Sequence, residues 1–368
     1  MFTADHGARR AALRRLLAEH DLDVLLVTDL LNIRYLTGFT GSNAALIVDA
    51  GDGPDTEDRT VICTDGRYVT QVGAQVPDLR AVIDRSSAAA LVGRLADRAG
   101  VRVGFESHVV TVDALAAWRS AAPDLALTRA PRLVERLREV KDEHEVGLLR
   151  RACAAADLAL AVLIERGGLR PGRTEREVGR DLEFLMLEHG GDGVSFETIV
   201  AAGANSAIPH HRPTDAVLAS GDFVKLDFGA TVAGYHSDMT RTYVLGSAAA
   251  WQRDVYDLVL RSQAAGRAAL APGVAVGEVD AASRSVIEDA GHGDLFLHGL
   301  GHGVGLEIHE APGIGKGGTG TLLAGAAVTV EPGVYFSGRG GVRIEDTLVV
   351  REQGPELLTL TSKDLTIV

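Results

Sequence analysis

Four acidic residues in two matched pairs carry the most chemical content in this sequence. Asp227 and Asp238 are equidistant from a point between Val232 and Ala233, within the strand-like segments FVKLDFGA and HSDMTRTYVL. A hairpin turning there sets the two carboxylates opposite each other, with Cβ atoms about 5 Å apart. Val-Ala is not a favoured two-residue turn, and Gly234 offers a shifted one. Glu331 and Glu345 are equidistant from Gly338, in the SGRGG stretch between AAVTVEPGVY and GVRIED. Two unit charges about 4 Å apart at an effective dielectric near 20 repel by roughly 4 kcal/mol. Singly, each acid reads as a turn or surface residue. Two buried pairs need protons or cations, and two divalent metal ions would neutralise all four. Oxygen-rich ligation favours Mn²⁺, with Co²⁺, Fe²⁺ and Zn²⁺ as alternatives. Bridging carboxylates hold such ions about 3.5–4 Å apart, the spacing of two-metal hydrolases. Nearby lie His298, His302 and His309, with glycines at 299, 301, 303 and 305 that clear space around His302. That is the pattern expected where a ligand approaches the backbone, and His302 fits as the one imidazole of an acidic centre. Pro209-His210-His211 adds a further pair.

These residues need a scaffold. Over the first 130 residues, strand patterns (DVLLVTD, RTVICTDGRY, VRVGFE) alternate with helical ones at 8–20, 87–99 and 111–121. This predicts a compact α/β domain, with NIRYLTGFTGSNAALIVD read as turn and strand. Arg132 to Ile164 reads as one long charged helix, with the domain boundary inside it near Val140. Thr174 with Glu177 forms a capping box for the next helix. From Gly191 onward glycine is frequent, and the two acid-bearing hairpins hint at internal duplication. The expected organisation is a domain over 1–132, a connector over 133–141 and a catalytic domain over 142–368, in an α+β chain.

The segments DFGATVAGYHSDMTRT, HGLGHGVGLEIHEAP, VEPGV and GVRIED resemble the motifs of the metallopeptidase family with the pita-bread fold. That family includes aminopeptidase P, prolidase, methionine aminopeptidase and the metal-free creatinase. NIRYLTGFTGS, TDGRY and LREVKDEHEVGLLRRA resemble the creatinase-like N-terminal α/β domain and connector of its Xaa-Pro branch. The resemblance spans nearly the whole chain. It implies that Asp227 binds one metal ion, that Asp238 and Glu345 bridge two, and that His302 and Glu331 bind the other. It also implies that His210, His298 and His309 line the substrate site and stabilise the tetrahedral intermediate. Arg343 becomes a charge behind the ligands or beside the substrate, and Tyr235 a support for Asp238 or for the attacking water. The implied reaction is attack of a metal-bridging hydroxide on the carbonyl of an Xaa-Pro bond, with Glu331 carrying the proton to the leaving nitrogen. The partner is a peptide with proline second. Some prolidases resembling this chain carry an arginine soon after the IHE-P motif. Here Gly313-Ile314-Gly315 follows, which tilts the expectation from prolidase, a dipeptidase, toward an aminopeptidase P-like enzyme. Creatinase chemistry and a non-catalytic binding role are the competing readings, and the complete ligand set argues against both.

The chain has 368 residues, 46% hydrophobic and 24% charged, with a net charge of −13. That composition excludes a disordered chain and disfavours nucleic acid as a partner. No stretch is long and apolar enough to span a membrane. Arg9-Arg10 is followed by an amphipathic helical pattern with no signal-like apolar core. Cys63 and Cys153 read as buried small hydrophobes, and a reducing, cytoplasmic location is expected. A homodimer is expected from the resemblance and from the prevalence of symmetric dimers. DFG at 227–229 lacks a kinase catalytic loop, the glycine run at 313–318 lacks strand–turn–helix context, and neither HExxH nor GxSxG is present.

Overall fold

The computed structural model describes residues 4–51, 53, 56–98 and 100–368. The first residues of the expected 1–132 domain and the last of the helix expected over 87–99 lie outside the described residues. The chain divides into two compact units after Arg138.

The first unit contains helices α1 (His6–Glu19), α2 (Leu30–Thr37), α3 (Thr56–Arg59), α4 (Val69–Gln75), α5 (Ser87–Ala96), α6 (Val112–Ala121) and α7 (Leu133–Arg138). Its strands are β1 (Val24–Val27), β2 (Ala44–Asp49), β3 (Val61–Thr64), β4 (Arg80–Ile83), β5 (Arg102–Phe105) and β6 (Ala126–Arg129). They form one mixed sheet in the order β4-β3-β2-β1-β5-β6. β1, β2 and β3 are buried at every position, as expected of strands covered on both faces. Sequence reading missed α2. The β-branched and aromatic residues of NIRYLT suggest strand, but Asp29 caps the N–H groups of Leu31 and Asn32, and Gly38 ends the helix at φ 80°. Arg9 and Arg10 are buried within α1. Arg10 pairs with Glu57 and Asp78 at 3.1 and 2.6 Å, so this arginine pair serves packing.

The second unit holds α8 (Glu143–Glu165), α9 (Glu175–Glu188), α10 (Ala250–Ala268) and α11 (Val276–Asp289). Its strands are β7 (Gly193–Val194), β8 (Ile199–Ala202), β9 (Phe223–Phe228), β10 (Ala230–Val232), β11 (Tyr235–His236), β12 (Met239–Val244), β13 (Gly301–Gly303), β14 (Glu310–Ile314), β15 (Ala327–Val330), β16 (Gly333–Phe336), β17 (Gly340–Arg343), β18 (Asp346–Val349) and β19 (Glu356–Leu357). The order helix pair, then acid-bearing hairpin, occurs twice: α8 and α9 precede β9–β12, and α10 and α11 precede β15–β18. Each half has its own core, one around Leu160, Leu182 and Phe228, the other around Val259, Ile287 and Val330.

The helix expected over Arg132 to Ile164 is broken. Val140 bridges Ala326, Lys141 N–H donates to Gly325 O at 2.9 Å, and Asp142 starts α8 with a capping box to Glu145. The capping box of Thr174 and Glu177 at the start of α9 is present as read. Both cysteines are buried and free. Among the described residues, no helix is long and apolar enough to cross a membrane.

Candidate metal centre and substrate cavity

The first acidic pair rides on one ribbon. β9 and β12 pair with Asp227 opposite Thr240, so Asp238 is a diagonal neighbour of Asp227 rather than its direct partner. The turn falls at Ala233-Gly234, one residue later than the expected centre, because both residues adopt left-handed backbone, φ 47° and 76°. This is the type I′ pattern that matches strand twist. Asp227 and Thr240 share a face, and Asp238, two residues from Thr240, lies on it too. Tyr235 does not support Asp238. Three residues away, it belongs to the opposite face, and its hydroxyl donates to Glu145 on α8 at 2.9 Å.

The second pair has the register the sequence predicts. Val330 opposes Asp346 and Gly333 opposes Arg343, so Glu331 and Glu345 face each other where the ladder pauses at Pro332. The two ribbons are joined directly: Glu345 N–H donates to Thr240 O at 3.1 Å, Thr240 Oγ1 donates to Glu345 Oε2 at 2.7 Å, and Thr347 Oγ1 donates to Asp238 O at 2.8 Å. His302 on β13 enters from the side, its N–H donating to Thr329 Oγ1 at 3.1 Å. The glycines around it admit neighbouring backbone, and Gly299 and Gly301 also line the cavity described below. A Cβ on Gly301 would overlap the Thr329 carbonyl, and one on Gly303 the Ala311 carbonyl.

Asp238, His302 and Glu345 each offer a donor atom within 4.8 Å of the others. His302 Nε2 is 3.5 Å from Asp238 Oδ2 and 3.3 Å from Glu331 Oε1. Asp227, Asp238 and Glu345 are buried. Burial, and then the neighbouring carboxylates, pushes Asp238 and Glu345 far above the usual carboxylate range. Burial raises Glu331 as well. Asp227 Oδ1 and Glu345 Oε1 are buried with no hydrogen-bond partner. Orphaned buried carboxylate oxygens beside an imidazole that burial holds at about 4, hence neutral, are the donors a divalent cation takes. The residues present therefore fit a divalent metal centre.

All nine candidate residues line one cavity of about 480 Å³. His210 and His309 are exposed to it and have no hydrogen bond to another described residue; the His309 ring stands edge-on to His302 at 4.3 Å. His298 is more constrained. Its Nδ1 faces Gly299 O at 2.8 Å and its Nε2 the Tyr335 hydroxyl at 2.8 Å. Arg343 is buried and spends its donors on protein atoms: Asp227 Oδ2, Thr240 Oγ1 at 3.0 Å, Tyr335 Oη at 2.9 Å and Pro209 O at 3.2 Å.

Three further residues escaped sequence reading. Tyr335 links Arg343 to His298. Lys225, inside the apolar run FVKLDF, is buried and donates to the carbonyls of Ile208 and Pro209 at 2.6 and 3.2 Å. Glu175, hidden behind the capping box of α9, accepts from Ala202 N–H, Asn205 Nδ2, His211 Nε2, Thr214 N–H and Thr214 Oγ1 at 2.7–2.9 Å. For Lys225 and Glu175 the sequence offers only a charge at a position that packing makes interior, and for Tyr335 only an aromatic ring in a strand pattern.

A creatinase-like α/β domain followed by a two-ribbon domain with this donor set defines a metallopeptidase. Residues 147–352 match the model of metallopeptidase family M24, and residues 9–140 match that of the creatinase/prolidase N-terminal domain. The chain belongs to family M24, with the pita-bread fold in its C-terminal part. An Xaa-Pro dipeptidase from Pyrococcus furiosus is 42% identical over 233 residues, 63% of this chain and 66% of that one. Among solved structures, an Xaa-Pro dipeptidase from Bacillus anthracis superposes with a TM-score of 0.93 at 36% identity, covering 99% of this chain and 100% of that one. An X-Pro aminopeptidase from Thermotoga maritima MSB8 gives 0.86 at 30%, covering 98% and 99%.

Proposed function

We propose that this chain is a metal-dependent Xaa-Pro peptidase whose preferred substrate is the dipeptide. The convergence of Asp227, Asp238, His302, Glu331 and Glu345 with His210, His298 and His309 on one cavity carries the reading. The five first-named residues would hold the metal ions, two in number and Mn²⁺ by the oxygen-rich donor set. Such ions, when bound, acidify water toward neutral pH and polarise a carbonyl. In this reading Glu331 accepts the proton of the attacking water and returns it to the proline nitrogen as the bond breaks. His210 and His309, with ring nitrogens uncommitted to protein, are placed to hydrogen-bond the scissile carbonyl as charge develops on its oxygen. Tyr335 and Arg343 fix the orientation of His298. Proline makes the bond a separate substrate class, because its nitrogen has no N–H and its φ is fixed. The dipeptide preference is supported by the relatives that bear the name Xaa-Pro dipeptidase.

The aminopeptidase reading is favoured by one observation, the absence of arginine from the segment after Pro312, and by the likeness to the Thermotoga maritima enzyme. Turnover of Xaa-Pro and Xaa-Pro-Yaa by protein supplied with Mn²⁺ decides between them. Hydrolysis of the dipeptide at higher kcat/KM is the expected result; cleavage of the tripeptide alone reverses the assignment.

A further inference from the structure

A dipeptide differs from a longer peptide by a free carboxylate on its proline, and a site that prefers it needs an uncommitted cation within reach. Apart from histidines, the cavity lining offers two positive side chains, Arg343 and Arg212. Arg343 is buried, and four of its five N–H groups donate to protein acceptors, among them the Asp227 carboxylate. Arg212 makes one ion pair, Nε to Oε2 of Glu197 at 2.8 Å, a partner that lines the same cavity and is itself 60% exposed; the Arg212 side chain is 82% exposed. Neither terminal amino group donates a hydrogen bond to protein among the described residues. Their edge of the guanidinium is the one that receives a carboxylate end-on through two charge-assisted hydrogen bonds.

The side chain is exposed, but its backbone is anchored. His211 on one side and Thr214 on the other both bond to the buried Glu175 carboxylate, at 2.7–2.9 Å. Pro213 restricts Arg212 to extended conformations. Upstream, Lys225 grips the carbonyls of Ile208 and Pro209. The same loop thus offers His210 and Arg212 to one cavity, and Phe196, Ile199 and Ile308 give that cavity an apolar lining suited to a pyrrolidine ring. Lys316, also exposed, lines a different cavity, with Arg284 and Phe296.

We infer that Arg212 is the specificity residue that receives the terminal carboxylate of Xaa-Pro. This rests on the dipeptidase reading above. The test compares Xaa-Pro, the amidated dipeptide Xaa-Pro-NH₂ and Xaa-Pro-Yaa as substrates of the Mn²⁺-supplied wild type, R212Q and R212K. In R212Q the KM for Xaa-Pro rises about tenfold with kcat nearly unchanged, R212K falls between, and KM for the amide and the tripeptide does not move. If wild type cleaves Xaa-Pro but R212Q shifts the acid and the amide equally, or shifts neither, Arg212 is not the anchor and the dipeptidase reading stands. If wild type does not cleave Xaa-Pro, the dipeptidase reading fails and the anchor with it.

Discussion

Asp238 and His309 line the same cavity, yet their truncation should have different consequences. Asp238 offers a donor atom within 4.8 Å of those of His302 and Glu345. D238A is therefore expected to lose both bound metal and activity, read by elemental analysis of the dialysed protein beside a turnover assay. Metal retained at the wild-type ratio contradicts its place in the centre. His309 stands edge-on to the His302 ring and makes no hydrogen bond to the metal donors among the described residues. H309A is expected to keep its metal and lose about 10²-fold or more in kcat, the usual cost of removing one donor to a developing oxyanion. Unchanged turnover removes it from the mechanism.

At the scale of elements, the two ribbons show what a sequence can and cannot convey. Glu331 and Glu345 are legible because the positive-φ backbone of their hairpin tip falls on glycines, Gly338 at φ 73° and Gly340 at φ 145°, whose identity signals the turn. The turn between Asp227 and Asp238 lies one residue beyond the expected centre, which shifts the pairing by two so that Asp227 opposes Thr240, because Ala233 adopts a left-handed conformation that its identity does not signal. Tyr235 was misassigned by proximity in sequence, whereas strand alternation sends it to α8. The glycines near His302 are legible as places of close approach, and backbone of neighbouring strands is what approaches them. Their spacing reveals close approach but not whether the neighbour is a ligand or a strand. Glu175 is invisible in the sequence because its significance lies in five hydrogen bonds from four residues spread from Ala202 to Thr214. Burial raises its pKa, but the hydrogen bonds from Ala202, Asn205, His211 and Thr214 outweigh this and leave it below the usual value. A depressed folded value means that its stabilisation is present above the unfolded pKa and is lost as pH falls through the folded one. E175Q is expected to lower stability by about 1.5–3 kcal/mol at neutral pH, measured by urea unfolding. The gap from wild type should hold between pH 8 and about 5 and close at lower pH; a gap that widens on acidification has the wrong sign for this carboxylate.

For the whole molecule, a centre that gathers buried carboxylates makes the folded state a metal-binding state. Metal at about 100 times its dissociation constant adds about 2.7 kcal/mol to the folded form, so Mn²⁺ should raise the melting temperature by roughly 5–10 °C. EDTA should reverse the rise, and D238A should show none; a wild-type melting curve indifferent to Mn²⁺ and EDTA argues against the centre. The carboxylates come from two separated stretches of chain. Asp227 and Asp238 precede the exposed segment at 246–250 and His302, Glu331 and Glu345 follow it, while the end of the chain returns to β12, Val368 N–H donating to Val244 O at 2.9 Å. Two polypeptides made by division in that segment would each be inert alone, yet would carry matching edges for re-association. Activity recovered on mixing would then scale with how often the fragments meet, turning this hydrolase into a reporter of proximity between whatever is fused to its parts.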